Sequence, residues 1–270
     1  MASLAEHVRE RDPDRFLAAL FAPARHREAL FTLIAYNAEL ARAREAASNP
    51  IAAMIRLQWW RDVIEEARIG RPSRRHEVAE PVHAAIVAGA LDAETLLALA
   101  DAREAETEDD GIPTAAAFAT YLRSTAGGMA VASARLLGAQ PAWLPLIERL
   151  GAGYGLAGVL RSVPHQAHAG RCLLPGGSLA ELGLTREGVI AAPDTAAPLI
   201  RAMAEEGFAR LAEARAQARR TLPRAMLAAV LPAVLAGRDF ARLAKGAPTP
   251  PVRGFADRAS LMLAGLRGRL

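Results

Sequence analysis

Apolar residues along this chain fall into long segments that Pro, Gly, Asp and Asn residues separate, as expected for a series of helices. No segment alternates between apolar and polar residues as a half-buried strand would. Asp12-Pro13 and Asn49-Pro50 each combine an N-cap residue with a first-turn proline, so helices are predicted to begin there. A long helix is predicted between them, over residues 24–46.

The same signals predict the later helices. Pro164 should end or kink the helix in which it lies, because proline lacks the backbone N–H, and Pro232 should kink another. Between residues 176 and 193 the chain resembles a loop, with short helical pieces capped by Ser178 and Thr185. The remaining predicted helices cover about residues 50–70, 92–106, 114–137, 145–164, 196–220, 223–245 and 255–268.

Composition agrees with one all-α domain over residues 1–270. Alanine dominates, aromatic residues are only 5% of the chain, and no internal repeat is present. The hydrophobic share of 52% and the length of 270 residues allow a large buried core. Cys172 is the single cysteine, which excludes an intramolecular disulfide and favours a reducing compartment.

Charge and hydropathy narrow the class of protein further. The net charge of +4 is a mild excess that fits an anionic surface or ligand, and it is too weak to indicate nucleic-acid binding. The N-terminus lacks the basic start and apolar run of a secretory signal. No stretch of eighteen uncharged apolar residues occurs. A soluble or peripheral protein is therefore expected.

Residues 151–175 carry the most specific motif, because Arg161, Gly170-Arg171 and Leu174-Pro175 stand in one recognisable frame. The segment resembles the second aspartate-rich motif of the squalene/phytoene synthase family, roughly G-x-A-x-Q-x-x-N-I-x-R-D-x-x-x-D and then G-R-x-Y-L-P. Ser162 and Gln166 stand where that family has metal-binding aspartates. Three earlier segments resemble the family in the same order, and the similarity covers about residues 15–245. They are residues 27–45, Leu57-Gln-Trp-Trp-Arg61 and residues 121–129.

This resemblance implies an isoprenoid-synthase-type helical bundle around a central cavity. In the family's enzymes, two helices each present a D-x-x-x-D pair that holds Mg²⁺ against a prenyl diphosphate. In the first motif here the aspartates are expected near Leu40 and Arg44, and the nearby Glu39 and Glu45 lie on different helix faces. We therefore expect no catalytic residue, no metal and no cofactor, with Mg²⁺ only if the chain is a prenyltransferase with atypical motifs.

One branch of the superfamily, the mitochondrial complex I assembly factors and their bacterial relatives, shows similar losses. Their first motif resembles Ala35-Tyr-Asn-Ala-Glu-Leu-Ala41, and their second resembles Leu160-Arg-Ser-Val-Pro-His165. This resemblance implies a non-catalytic assembly factor for respiratory complex I. Its partners would be complex I subunits or assembly intermediates, and it would be cytoplasmic, peripheral on the inner face of a bacterial inner membrane. The alternatives are an active head-to-head prenyltransferase and an isoprenoid- or lipid-binding protein.

The degenerate motifs also define candidate ligand-binding positions. The helices that carry Tyr36, Gly128 and Tyr154 are expected to surround an apolar pocket with Arg161 or Arg171 at its mouth. An isoprenoid or anionic lipid could bind there, its phosphate held by those arginines, with Arg42 and Arg44, in place of a metal. The full candidate set is Tyr36, Asn37, Glu39, Gly128, Tyr154, Arg161, Ser162, Gln166 and Arg171.

Four further features of the sequence each have two interpretations. His165 and His168 have metal-ligand spacing but are also ordinary loop residues. The acidic residues between 101 and 110 form either a cation site or a solvated helix end. Trp59-Trp60 could hold a core anchor or a partner-facing hot spot at Trp60. The basic helix over residues 255–270 could cover the domain or contact an anionic membrane.

Overall fold

The computed structural model describes residues 3–47, 49–108, 110–247 and 252–270. All regular secondary structure in these ranges is helical, which confirms the predicted all-α class. The helices are α1 (Leu4–Arg11), α2 (Pro13–Ala19), α3 (Ala24–Glu45), α4 (Pro50–Arg68), α5 (Ala79–Val87), α6 (Ala93–Asp101), α7 (Ala115–Leu122), α8 (Gly128–Leu136), α9 (Leu144–His168), α10 (Gly176–Ala180), α11 (Arg186–Ala191), α12 (Ala197–Thr221), α13 (Leu227–Val230), α14 (Pro232–Leu243) and α15 (Phe255–Arg267).

Side-chain caps explain six of the fifteen described helix starts, those of α1, α2, α4, α6, α7 and α11. The Asp12 carboxylate accepts a hydrogen bond from the Arg15 N–H at the start of α2, and the Asn49 side chain accepts one from the Ala52 N–H at the start of α4. Both predicted starts are confirmed. Helices α1 and α5 were not predicted, although Ser3 and Glu6 form a readable capping box before α1.

Proline and serine signals were less reliable inside the bundle. Pro164 does not end α9, which continues to His168, because the neighbouring Val163 and Ala167 are buried in the core and hold the last turn in place. Pro232 does more than kink its segment: α13 ends at Val230 and α14 begins at Pro232 itself. The cap predicted at Ser178 is wrong, since that residue lies inside α10.

Helix α9 is the central element of the bundle. It packs against α8, α12 and α14, and against the π-helical turn over residues 123–127 that joins α7 to α8. Gly151 allows this close approach, because a Cβ there would lie 2.6 Å from the Ala126 carbonyl oxygen and 2.6 Å from the Ala130 Cβ. Gly127 faces the same contact from the other side. Gly127 and Gly151 therefore serve helix packing.

A buried ionic network fastens the C-terminal segment to the bundle. Arg253 donates from Nε to Asp14 of α2 at 3.0 Å and from Nη1 to Asp239 of α14 at 2.6 Å. In α15, burial alone would raise the pKa of Asp257, but hydrogen bonds from Arg242 and Arg238 outweigh it and hold that pKa at about 2. The inner face of α15 is thus tied to α14 by charge-assisted hydrogen bonds.

Candidate functional site

The two degenerate motifs meet in a cleft of about 210 Å³ between α3, α7 and α9. Helix α3 contributes Ala41 and Glu45, and α9 contributes Ser162 and Gln166. Each pair is four residues apart, so both members lie on one helix face and point to the same space. We call this space, defined by these four residues, the motif cleft. Its polar lining is completed by Arg15, Arg103, Glu106, Tyr121, Thr125, Tyr154 and Arg171.

The structure corrects the position of the first motif by one residue. Leu40 is fully buried in the core, and the Arg44 side chain donates to the Ala47 carbonyl oxygen. Neither lines the motif cleft, whereas Ala41 and Glu45 do. Without an aspartate in α3 to fix the register, sequence reasoning chose the neighbouring pair.

Only one of the four facing motif positions in the cleft is a carboxylate, and it is ion-paired. Arg171 Nη2 lies 3.4 Å from Glu45 Oε1. On the opposite helix, Ser162 donates from its hydroxyl to the Val159 carbonyl oxygen at 3.0 Å, and the Gln166 amide donates to Ser162 Oγ at 3.3 Å. The α9 side of the cleft is therefore neutral, and the hydrogen bonds of Ser162 and Gln166 stay within the helix, while Gln166 Oε1 is buried without a partner.

A second group of polar residues in the cleft centres on Arg103, which sequence reasoning did not single out. Arg103 donates to Glu106 at 2.6 Å and to the Asn37 side-chain oxygen at 3.2 Å. The Tyr121 hydroxyl donates to Glu106 at 2.7 Å. Burial raises the pKa of Tyr121 well above its ordinary value, so the phenol stays protonated at neutral pH. The candidate residue Asn37 thus orients an arginine at the cleft.

These side chains do not fit a magnesium site. Mg²⁺ requires hard oxygen ligands, usually carboxylates. The motif cleft offers two carboxylates. Glu45 forms an ion pair with Arg171, and Glu106 accepts hydrogen bonds from Arg103 and Tyr121. Across the described ranges, no group of three or more His, Cys, Asp or Glu side chains is arranged to hold a metal ion.

The apolar pocket expected behind the cleft is reduced to a void of about 20 Å³, room for about one water molecule. Tyr36 is fully buried, and its hydroxyl donates to the Leu96 carbonyl oxygen at 2.8 Å. Gly128 packs against Leu99. Only Tyr154 of the three expected wall residues lines the void, because Tyr36 lies in the solid core and Gly128 is half-buried elsewhere.

The predicted cluster of phosphate-binding arginines is also dispersed. Arg161 Nε lies 4.0 Å from Asp239 in the buried ionic network and does not line the motif cleft. The candidate Glu39 pairs with Arg42 at 3.4 Å on another face of α3. Of the proposed cations, only Arg171 borders the cleft, because successive arginines of α3 point in different directions.

The acidic residues between 101 and 110 and the two histidines of α9 have structural or solvent-exposed positions. Asp101 accepts a hydrogen bond from Arg61 at 2.7 Å, and Glu104 also pairs with Arg61. Asp109, another member of the acidic run, lies outside the described residues. His165 and His168 are exposed at the end of α9. Within the described part of the chain, these groups form no cation site.

A groove of about 330 Å³ between α3 and α4 is the second candidate site. Trp60 is buried and contacts Tyr36 edge to face, so it is a core residue and not a partner-facing one. Both tryptophans line the groove, and Trp59 is the half-buried one. Ile55 of the groove is 65% exposed, and Ile51 one turn before it is 73% exposed.

The groove is also basic. Arg42, Arg56 and Glu39 line it; Glu39 pairs with Arg42, whereas no carboxylate in the described ranges pairs with Arg56, which supplies the excess positive charge. Exposed isoleucines beside a tryptophan and arginines are typical of protein-binding surfaces. We call Ile51, Ile55, Arg56, Trp59 and Arg42 the α3–α4 groove.

The chain is similar in sequence and in fold to several known proteins. A sequence model of the squalene/phytoene synthase family matches residues 8–261. The human "NADH dehydrogenase (ubiquinone) complex I, assembly factor 6" is 25% identical over 171 residues, which cover 63% of this chain and 51% of the human protein. The rat protein of the same name is 25% identical over 183 residues, 67% of this chain and 55% of its own. The chain thus spans about half the length of the curated relatives it matches.

Two solved structures share the fold. Squalene synthase HpnC from Alicyclobacillus acidocaldarius superposes with a TM-score of 0.68 at 17% identity, covering 98% of this chain and 92% of that chain. A dehydrosqualene synthase in complex with ligand superposes with a TM-score of 0.73 at 11% identity, covering 98% of this chain and 94% of the other. At such low identity the similarity shows the fold alone, and it confirms the predicted isoprenoid-synthase-type bundle.

Proposed function

The chain belongs to the squalene/phytoene synthase family, and from that premise we propose that it is a non-catalytic member that assists the assembly of respiratory complex I. The observation that carries the proposal is the composition of the motif cleft. Of the four positions that face each other across it, three are Ala41, Ser162 and Gln166, and the fourth, Glu45, is neutralised by Arg171. The assembly role itself is proposed because the curated relatives are named complex I assembly factor 6.

The charge balance of the cleft supports this view. Prenyl transfer releases diphosphate, and metal ions normally stabilise the negative charge that develops on the leaving group. Here Arg15, Arg103 and Arg171 supply positive charge without a metal, but each already forms an ion pair with a nearby carboxylate. A small anion, including a lipid phosphate, is the second candidate occupant, and it would have to compete with these pairs.

An assembly factor acts through a surface, and the α3–α4 groove fits that task best. Its partner would be an apolar protein segment with an acidic residue, because Ile51, Ile55 and Trp59 supply apolar contact and Arg56 supplies a positive charge that no carboxylate in the described ranges offsets. The proposed role also implies a location at the membrane that holds complex I, on its cytoplasmic face. Among the described helices, none is both long and apolar enough to span a bilayer.

Catalytic silence is the first expected result. Purified protein with Mg²⁺ and farnesyl or geranylgeranyl diphosphate should release no diphosphate above the uncatalysed background, because the cleft has no carboxylate cage for the metal. A phosphate-release assay measures this directly, with an active squalene synthase as the positive control. Metal-dependent turnover that is lost in the Glu45→Gln variant would instead establish the prenyltransferase alternative.

Complementation of a gene deletion is the second test. Deletion should lower assembled complex I and leave the other respiratory complexes near normal, as measured on native gels with NADH dehydrogenase staining. Ser162→Ala and Gln166→Ala should restore complex I, because neither side chain does chemistry in this proposal. Ile55→Asp should fail to restore complex I, because a partner that binds in the α3–α4 groove would bury the new carboxylate.

A matched surface variant makes this result interpretable. Val87→Asp changes an equally exposed apolar residue on α5 and should restore complex I as the wild type does. Circular dichroism and thermal melts must show that Ile55→Asp is folded. Normal complex I in the deletion strain, together with an altered isoprenoid profile, would contradict the assembly role.

A further inference from the structure

Helix α15 has an unusual distribution of apolar residues. Its inward face consists of Asp257, Leu261 and Gly265, which are buried against the bundle. At about 100° per residue, the opposite pole of the helix carries Phe255, Ala259, Leu263 and Leu266 within an arc of about 80°. A surface helix of a soluble domain normally shows polar residues there. In α15, Phe255 and two of the three leucines, Leu263 and Leu266, point away from the domain.

The exposure of this stripe is high. Phe255 is 88% exposed and Leu266 is 64% exposed, and Val252, just before the helix, is 67% exposed. Leu263 is also exposed. Four of the eleven exposed large apolar side chains in the described ranges therefore lie between residues 252 and 266. We call Phe255, Ala259, Leu263 and Leu266 the outer stripe of α15.

The charges beside the outer stripe all have one sign. Arg258 lies on one side of the stripe and Arg267 on the other, and Arg269 follows the helix. No carboxylate in the described ranges pairs with any of these three arginines. Asp257 is the only acidic residue from 252 to 270, and it is buried under Arg238 and Arg242. The surface is thus apolar at its centre and uniformly positive at its edges.

From this arrangement we propose that α15 is a membrane-binding helix, and that its outer stripe inserts into the headgroup region of a bilayer containing anionic lipid. Apolar side chains enter the interface while the flanking arginines reach the lipid phosphates. A second copy of this chain is a poorer occupant, because stacking two such stripes would bring arginines from both copies together. The inference does not depend on the proposed role in complex I assembly.

The buried ionic network anchors α15 and the turn before it to the bundle. Asp257 accepts hydrogen bonds from Arg242 at 2.7 Å and from Arg238 at 2.5 Å, and Arg253 ties the preceding turn to α2 and α14. Because Asp257, Leu261 and Gly265 hold the inner face against the bundle, the outer stripe is left exposed. Insertion would therefore need no rearrangement of the bundle.

Vesicle co-sedimentation tests the proposal. The full chain should bind vesicles of one part phosphatidylglycerol to two parts phosphatidylcholine, bind phosphatidylcholine alone more weakly, and lose affinity as salt rises. The double variant Phe255→Ser and Leu266→Ser should lower the partition coefficient about tenfold or more. The variant Arg258→Gln and Arg267→Gln should lower it about tenfold or more on anionic vesicles, with little change on phosphatidylcholine.

The matched control is Leu182→Ser with Phe208→Ser, which removes two exposed apolar side chains outside α15 and should bind as the wild type does. Circular dichroism must show native helix content for every variant. Absence of binding to anionic vesicles, or unchanged binding by the Phe255 and Leu266 variant, would overturn the proposal. So would analytical ultracentrifugation in which the wild type dimerises and that variant is monomeric. None of these readouts depends on complex I levels.

Discussion

Replacement of Arg253 by methionine should lower the free energy of unfolding by about 3–5 kcal/mol. Arg253 is buried, and its guanidinium separates two buried carboxylates, Asp14 and Asp239. Methionine fills much of the same volume but leaves both carboxylates without their strongest donor. Asp239 is especially vulnerable, since its Oδ2 atom already has no hydrogen-bond partner. Urea denaturation followed by circular dichroism would measure the loss.

Arg238→Met provides the control for this experiment. Arg238 also bonds a buried carboxylate, but its side chain is partly exposed and Asp257 keeps two hydrogen bonds from Arg242. Its removal should therefore cost about 1 kcal/mol or less. If Arg253→Met and Arg238→Met were equally mild, the buried network would not be what fastens the C-terminal segment to α2 and α14.

Two alanine substitutions in α9 should change stability in opposite directions. Gly151→Ala should lower the free energy of unfolding by about 1–3 kcal/mol, because the new Cβ would overlap the Ala126 carbonyl oxygen and the Ala130 Cβ. Gly158→Ala should raise it by about 0.5–1 kcal/mol, because no atom lies within 4 Å of the new Cβ and alanine is the better helix former.

Thermal and urea melts of both variants would check this pair. Both changes add one methyl group to the same helix, so helix propensity cancels in the comparison and the remaining difference reports packing. Equal stability of the two variants would mean that α9 and the 123–127 turn can separate without cost. The close contact at Gly151 would then not be a constraint on the fold.

Much of the fold could be predicted from local sequence. An N-cap such as Asp12 or Asn49 acts on backbone N–H groups only a few residues ahead, so its signal is complete within one turn. The loss of motif carboxylates at Ser162 and Gln166 was equally readable, because the frame of Arg161 and Gly170-Arg171 fixes the register in α9. No comparable frame survives in α3, and the expected positions there were displaced by one residue.

What the sequence by itself determined is therefore the class of the fold, most helix starts, and the absence of an acidic pair in α9. Only the tertiary structure decided which side chains share the motif cleft, because Arg15 and Arg103 come from elements far apart in the chain. It also decided that Tyr36 fills the core, that Gly128 packs against Leu99, and that Asp14 contacts Arg253. Such contacts depend on how helices pack, and the energy of packing is spread over many partners that no single segment encodes.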